Sequence, residues 1–377
     1  MSILSTPVRL RPTERVLLLG ASPLAVQLIE RLSTRPHVKI LGVVDDAVVP
    51  SSLPTHLNRL GTLDDLGRIL HEQRPTRVIV TLIARRGRLP VRLLLKARLR
   101  GVQVEDGIDT YERLTGKLAI EALPPSALVF SAGLRKSHLV QAFSRGLSVS
   151  VAAVGLLVLL PLLAVIAALV VLDSPGPALF AQARVGAAGR RFKLLKFRTM
   201  IGARAIPSQW AADNGNRITR VGKWLRRFRL DELPQLINVL RGEMNLVGPR
   251  PHPVSNFELF LHKIPYYWVR SSVLPGMTGW AQVRYRYANN LEEETEKMRY
   301  DLYYIKHRSL GLDLRILAET VRVVLIGHDA AVAARAAAAG RPAAQVVRID
   351  SRAHTLRPNP QRLAGRGDTG TWTWRRA

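Results

Sequence analysis

From Leu147 to Leu172 the chain carries no charged side chain and is almost wholly Leu, Val, Ala and Ile, interrupted by Ser148, Ser150, Gly155 and Pro161. A helix of about 20 apolar residues spans the hydrocarbon core of a bilayer, so this run calls for an apolar medium and divides the chain into a part before it and a part after it. A proline in a helix interior removes one backbone hydrogen bond and crowds the preceding turn, at roughly 3 kcal/mol or a bend. Pro161 lies near the middle of the run. Arg135, Lys136 and Arg145 precede the segment, and Arg184, Arg190, Arg191, Lys193 and Lys196 follow it; positive flanks prefer the cytoplasmic side. A straight spanning helix would send one basic flank across. A re-entrant membrane helix over residues 147–172, broken at Pro161, keeps both inside, and it is the expectation here, with the single span as its alternative.

The chain has 377 residues, enough for two domains each with its own core. Its 56 Lys and Arg against 28 Asp and Glu give a formal charge of +28, and both halves are basic. That field favours anionic partners, among which charge alone does not choose: nucleic acid, anionic lipid and phosphorylated small molecules all qualify. The absence of cysteine excludes disulfides, thiolate zinc sites and a cysteine nucleophile. The nine histidines show no close pair at ligand spacing, which argues against zinc. Met1 to Glu14 lack an apolar core of their own, so they do not read as a signal peptide, and the amino terminus is expected in the cytosol.

Ahead of the membrane run, Arg15 to Gly20 (RVLLLG) reads as a buried parallel strand, Ala21 to Leu32 as a helix and Val38 to Val44 as a second strand. Leu63 to His71 has helical periodicity, and Arg77 to Leu82 and Val102 to Val104 supply further strands. The fold class is therefore α/β, with a disordered amino terminus over residues 1–14, a Rossmann-like domain over 15–125, a linker over 126–146, the membrane helix, a second domain over 173–329 and a mostly disordered basic tail over 330–377. After the first strand, Gly20 is followed by Ala21, Ser22 and Pro23, without the second glycine that lets a backbone approach a pyrophosphate. A structural or regulatory role is expected for this domain, and no dinucleotide cofactor.

Residues that can carry chemistry converge after the membrane run. Asp173 to Pro177 (DSPGP) reverses the chain, and Lys193, Lys196 and Arg198 follow near glycine turns, where they suit phosphate oxygens or lipid headgroups. Arg217 to Leu230 places Val221, Trp224, Leu225 and Phe228 at helical spacing among arginines, the pattern of an interfacial helix. Asp231 and Glu232 come next. Nearby guanidinium groups favour ionised carboxylates, which serve as a nucleophile on phosphorus or as ligands for Mg2+; an Asp-Glu pair by itself is more often a solvated surface. Gly248 to Pro251 (GPRP) presents Arg250 between two prolines, and Pro275 to Val283 (PGMTGWAQV) forms a glycine turn carrying Trp280 and Gln282.

In this order, DSPGP, FAQARVGAAGRRF, KFRTM, RITRVG, LDELPQLINVLRGEMNLVGPRP and LPGMTGWAQV resemble the bacterial sugar transferases, the monotopic polyprenol-phosphate phosphoglycosyl transferases, over roughly residues 135–328. YERLTGK, DLYYIK and TVRVVL look like the exopolysaccharide subgroup that carries a Rossmann-like domain first. The resemblance implies a re-entrant membrane helix hairpin followed by a mainly helical α+β phosphoglycosyl transferase domain at the cytoplasmic face of the inner membrane. It implies that Asp231 attacks the β-phosphorus of a UDP-sugar, releasing UMP, and that undecaprenyl phosphate then takes the hexose 1-phosphate. Glu232 is implied as the Mg2+ ligand, and Arg184, Lys196, Arg198, Arg250 and Gln282 as substrate contacts. Membrane lipids are expected partners, nucleic acid is not, and a homo-oligomer is compatible with the sequence. Three positions depart from the family's usual residues: Ser271 and Leu274 stand in place of His and Lys, and Ala183 in place of an acid. Relatives with this domain order begin with several transmembrane helices, and no such run precedes residue 147 here.

Two readings of other classes compete. A membrane-held basic protein that binds nucleic acid or a regulatory ligand agrees with the charge but not with the ordered motifs. A nucleotide-sugar oxidoreductase would need the glycine pattern that the first domain lacks. For the membrane segment, single cysteines introduced near residues 130 and 180 are expected to resist labelling from outside intact cells; strong outside labelling at either one excludes the hairpin.

Overall fold

The computed structural model describes residues 13–46, 58–82, 87–123, 128, 131–134, 137–201, 217–285, 288, 290–327 and 330. Residues 1–320 form one compact unit. Of the second, residues 321–377, the described part is the end of the last helix, Gly327 and residue 330. The expected terminal tails fall almost entirely outside the described residues.

The first domain is built on strands β1 (Glu14–Leu19), β2 (Val38–Val44), β3 (Arg59–Gly61), β4 (Arg77–Val80) and β5 (Gln103–Asp106). They pair in parallel in the order β3-β2-β1-β4-β5, the doubly wound arrangement. Central β1 is apolar without alternation because both faces are covered. Val16 and Leu18 pack with helices α1 (Pro23–Ser33) and α4 (Gly107–Thr115), while Leu17 and Leu19 pack with α2 (Leu66–Gln73) and α3 (Val91–Leu99). Ser22 caps α1 by accepting from Ala25 N, with Pro23 in the first turn. At the preceding turn the Asp45 carboxylate accepts Ala21 N–H at 2.6 Å, so that amide is satisfied within the chain.

Helix α5 runs from His138 to Asp173, 36 residues or about 54 Å along its path. It starts earlier than the apolar run, capped by Ser137, and it passes through Pro161 as one helical element. The expected division into two helices at Pro161 is not present as an interruption of helical structure, since a proline can be taken up within a helix by a local bend. The helix is long and apolar enough to cross a membrane, and Val154, Leu157, Val158, Leu160 and Val165 are exposed along it. Its two ends are tied to the same compact unit. Arg145 donates to Val239 O and Met244 O at 2.6 and 2.8 Å, Ser144 to Asp313 at 2.7 Å, and Ile166 and Val170 pack with Phe197 and Leu225.

After α5 come an antiparallel hairpin of β6 (Leu179–Val185) and β7 (Arg191–Phe197), helices α6 (Arg220–Arg227) and α7 (Gln235–Leu240), strand β8 (Asn245–Val247) and helix α8 (Val254–Lys263). Strand β9 (Gly276–Thr278), paired in parallel with β8, and helices α9 (Trp280–Arg284), α10 (Leu291–His307) and α11 (Leu310–Ile326) complete the unit. The first domain is joined to this one through the YERLTGK stretch. Trp280 Nε1 donates to Gly116 O at 2.9 Å, Lys306 Nζ reaches both Glu112 oxygens at 2.9 Å, and Lys117 forms a buried pair with Glu296. One hydrophobic core runs from α1 and α4 into α10.

Glycines set how closely the loops around β8 and β9 approach. A Cβ at Gly276 would stand 2.1 Å from Gly248 N and 2.4 Å from Thr278 O, and one at Gly279 would stand 2.2 Å from Gly248 O. These contacts are backbone, which has nowhere to move. Gly276→Ala is expected to lower stability by about 1–3 kcal/mol, as overpacking does, measured by chemical unfolding; an unchanged midpoint would show that the loops can part.

Candidate active site

Asp231 and Glu232 sit in a single 3-10 turn, Leu230–Glu232, between α6 and α7. Arg229 just before them takes a left-handed conformation, φ 56°, which is uncommon for a long side chain. It reverses the chain after α6, and both carboxylates are buried, at 7% and 9% exposure. Burial of two acids demands partners, and neighbouring strands supply them. Lys196, at the end of β7, donates to Glu232 Oε1 at 3.0 Å, and Arg250 donates to the same oxygen at 2.5 Å and to Oε2 at 3.4 Å. Lys196 Nζ lies 4.0 Å from Asp231 Oδ2. Among the described residues the Asp231 carboxylate accepts no hydrogen bond.

This asymmetry divides two residues that the sequence reading treats alike. Arg250 and Lys196 hold the Glu232 carboxyl well below its ordinary range despite its burial. At Asp231 burial prevails over the attraction of Lys196, and the pKa is raised, with the Glu232 charge adding to the rise. The cationic neighbours favour ionisation of both carboxylates, as expected from the sequence, but at Asp231 the loss of solvation outweighs them. A raised pKa means a more basic, less engaged oxygen. Lys196 is itself lowered by burial, and Arg184 is lowered to about 9 by burial and by the charge of Arg250 beside it. Three cations therefore face two carboxylates, which leaves room for an anionic guest.

Arg250 is held by an unusual turn. Prolines 249 and 251 have no N–H to donate, so the GPRP backbone is fixed through its carbonyls. Four in succession are taken by four donors: Pro249 O by Gly276 N at 3.0 Å, Arg250 O by Arg270 at 2.9 Å, Pro251 O by Arg184 at 3.0 Å and His252 O by Val185 N at 3.2 Å. Gln182 accepts a second Arg184 donor at 2.6 Å, while Arg184 Nε is buried without a partner.

Arg198 and Gln282 stand elsewhere. Arg198 donates to Val170 O, Ser174 O and Pro175 O at 3.2, 2.7 and 2.6 Å, closing the carboxyl end of α5. Gln282 donates to Met277 O at 3.0 Å, and its Oε1 is buried and unpaired. Neither contacts the carboxylate pair. Of the interfacial helix, Leu225 is buried, whereas Trp224 and Phe228 are exposed at 55% and 41%. Asp173, the last residue of α5, accepts Val221 N–H at 3.0 Å and so anchors α6 to it.

Residues 139–327 match the family described as bacterial sugar transferase, half of the chain. The chain belongs to this family. It is 39% identical over 240 residues to the UDP-N-acetylgalactosamine-undecaprenyl-phosphate N-acetylgalactosaminephosphotransferase of Aeromonas hydrophila, covering 63% of this chain and 56% of that protein. It is 46% identical over 178 residues to the UDP-glucose:undecaprenyl-phosphate glucose-1-phosphate transferase of Xanthomonas campestris pv. campestris, covering 46% and 37%. The undecaprenyl-phosphate glucose phosphotransferase of Komagataeibacter xylinus is 32% identical over 341 residues, 87% of this chain and 62% of that protein. The chain thus spans roughly half the length of these curated relatives, between 37% and 62%. The last match is longer than the stretch from residue 139 to the carboxyl terminus, so it extends into the first domain.

Sequence reasoning missed the support behind the site of this family member. Arg270 and Asp301 form a buried ion pair, and His252 and Tyr267 hydrogen bond beside it. The imidazole is kept neutral, its pKa driven well down by burial and by Arg270. Arg270 follows a mainly apolar stretch, PYYWV, but Asp301 lies in the charged run EEETEKMRYDLYYIKH, which gives no sign of its burial. Among the described residues no three His, Asp or Glu side chains cluster as a metal site.

The two carboxylates are expected to behave oppositely on neutralisation. Glu232, lowered on folding, stabilises the fold above the ordinary carboxylate range and loses that contribution as pH falls through its depressed value. Asp231, raised on folding, is destabilising once ionised, with no effect below its ordinary 3.8. At pH 7.5 Glu232→Gln should lower stability by about 3 kcal/mol or more, having stranded two buried cations, whereas Asp231→Asn should raise the Tm. Thermal unfolding of both variants decides it; a lowered Tm for Asp231→Asn would contradict the assigned environment.

Proposed function

We propose that this protein transfers a hexose 1-phosphate from a UDP-sugar to undecaprenyl phosphate, with Asp231 as nucleophile. The observation that carries the reading is the pairing of a buried, unbonded carboxylate, Asp231, with a neighbour whose charge is fully answered by Lys196 and Arg250. The family membership and the names of the relatives support the same chemistry.

In the first step an Asp231 oxygen bonds to the β-phosphorus, and the bond from that phosphorus to the bridging oxygen breaks, its electron pair leaving with UMP. In the second, a phosphate oxygen of undecaprenyl phosphate attacks the same phosphorus and displaces the Asp231 carboxylate, giving the lipid diphosphate sugar. Covalent capture divides one transfer into two. Lys196, Arg184 and Arg250 are placed to face the charge that spreads over phosphoryl oxygens.

Hard oxygen donors suit Mg2+. The donor set here fits it through Glu232 Oε2, whose Arg250 contact is long at 3.4 Å, next to the open Asp231 carboxylate. Bound there, the ion would neutralise diphosphate charge. Arg198 and Gln282, away from the pair, act in this reading on the α5 terminus and the PGMTG turn.

The membrane is part of the proposal. Both ends of α5 are tied to one unit, and Trp224 and Phe228 stand exposed on a basic helix anchored to Asp173. This supports a re-entrant α5 bent at Pro161 in the inner membrane, with both domains cytoplasmic and Asp231 at headgroup depth. UDP-glucose and UDP-N-acetylgalactosamine are the donors to test first, since the relatives' names divide between these sugars. With labelled donor, Mg2+ and undecaprenyl phosphate, the purified protein should release UMP and form a lipid-linked product. Asp231→Asn should abolish both UMP release and labelled enzyme, a loss of at least about 1,000-fold, and Glu232→Gln should weaken the metal dependence. Labelled enzyme from Asp231→Asn would remove Asp231 as nucleophile.

A further inference from the structure

We infer that Arg270 is a positioning residue that sets the direction of Arg250 by gripping its carbonyl. The inference rests on the reading above for its activity assay, not for its geometry. Arg270 lies in the 3-10 turn Tyr267–Ser272 and is 5% exposed. A guanidinium has five N–H donors in a fixed fork, and all three of its nitrogens are engaged here. Nε and Nη2 meet Asp301 Oδ2 at 2.9 and 2.8 Å, Nη2 also donates to Arg250 O at 2.9 Å, and Nη1 donates to Tyr267 OH at 2.6 Å and to His252 Nδ1 at 3.1 Å.

The backbone around Arg250 gives that one contact leverage. Pro249 and Pro251 each have φ fixed by their rings, and a residue before proline is kept out of the helical region. The main remaining freedom is the plane of the peptide between Arg250 and Pro251, which the Arg250 carbonyl defines. Arg184 holds the next carbonyl from the other side. With the plane set, the Arg250 side chain leaves the turn toward Glu232, where its Nη2 lies 2.5 Å from Oε1.

Asp301 stands on α10, which also carries Glu296 and Lys306, the partners of the first domain. Arg270 thus connects the position of Arg250 to a helix outside the site. Burial and Arg270 together keep His252 neutral, so Nδ1 is free to accept. On its other side, His252 Nε2 lies 3.3 Å from Lys297 Nζ and 3.4 Å from Glu294 Oε1.

A lysine in place of Arg270 keeps the charge but has no fork with which to hold Asp301 and the carbonyl together. The test is a double-mutant cycle in the full-length protein, reading kcat/KM for UMP release from the donor that turns over. Arg270→Lys should reduce kcat/KM roughly tenfold or more, and less than twofold in an Arg250→Ala background. Equal reductions in both backgrounds would overturn the inference, since a general structural role does not depend on Arg250. If Arg270→Lys fails to fold, Tyr267→Phe removes one partner of the fork; a smaller loss that again disappears with Arg250→Ala sustains the inference, and an undiminished one overturns it. If the unaltered protein turns over neither donor, the functional reading fails on its own. Hydrogen exchange over residues 246–253 then decides the geometry: faster in the Arg270→Lys or Tyr267→Phe protein sustains it, unchanged overturns it.

Discussion

Glu232 keeps a full negative charge where water has little access, and it does so because Lys196 and Arg250 both converge on its Oε1. Much of the second domain can be understood as what is needed to bring those two cations there. Lys196 arrives on β7, whose partner strand β6 carries Arg184 to the Pro251 carbonyl. Arg250 arrives on a turn with two prolines, held from behind by Arg270. Asp231 gains from the arrangement indirectly: its neighbour absorbs the hydrogen bonds, and its own oxygens stay open.

The long apolar helix α5 is integrated with this cluster. Arg145 fastens one end of α5 to the carbonyls of Val239, in the last turn of α7, and Met244, just before β8, and Arg198 closes the other by capturing carbonyls of its last turn and of the DSPGP turn. Positive charge at a helix carboxyl terminus also offsets its dipole. Residues that look from sequence like lipid or phosphate ligands are thus used to set where the apolar helix leaves the folded domain. Asp173 continues the linkage by holding the start of α6, the helix that delivers Asp231 and Glu232.

Much of this was legible in the sequence. Strand β2 falls over the same residues as the apolar run Val38 to Val44, and β1 and β4 lie within a residue or two of theirs, because strands covered on both faces write themselves as unbroken aliphatic runs. Strand β3, three residues long and partly exposed, left no such trace. The carboxylate pair, Lys196, Arg184 and Arg250 do come together. What the sequence concealed was the use of each cation, since Arg198 and Arg250 read alike in a basic chain and differ only in whether carbonyls or a carboxylate wait within reach. The opposite protonation tendencies of Asp231 and Glu232 were hidden for the same reason. They are adjacent in the chain, and their difference arises from three-dimensional placement of residues far from both.

The carbonyl-held GPRP turn has a consequence for how the chain reaches this state. Its donors are Val185, Arg184, Arg270 and Gly276, which come from a hairpin before it in sequence and from a turn and a strand after it. A helix can close its own hydrogen bonds as it forms, but this turn has none of its own to close. Its geometry therefore depends on segments from both sides being docked, and each of those contacts joins parts of the chain that are distant in sequence. Sound helices and an intact first sheet are thus not enough to orient Arg250; that direction belongs to the assembled domain.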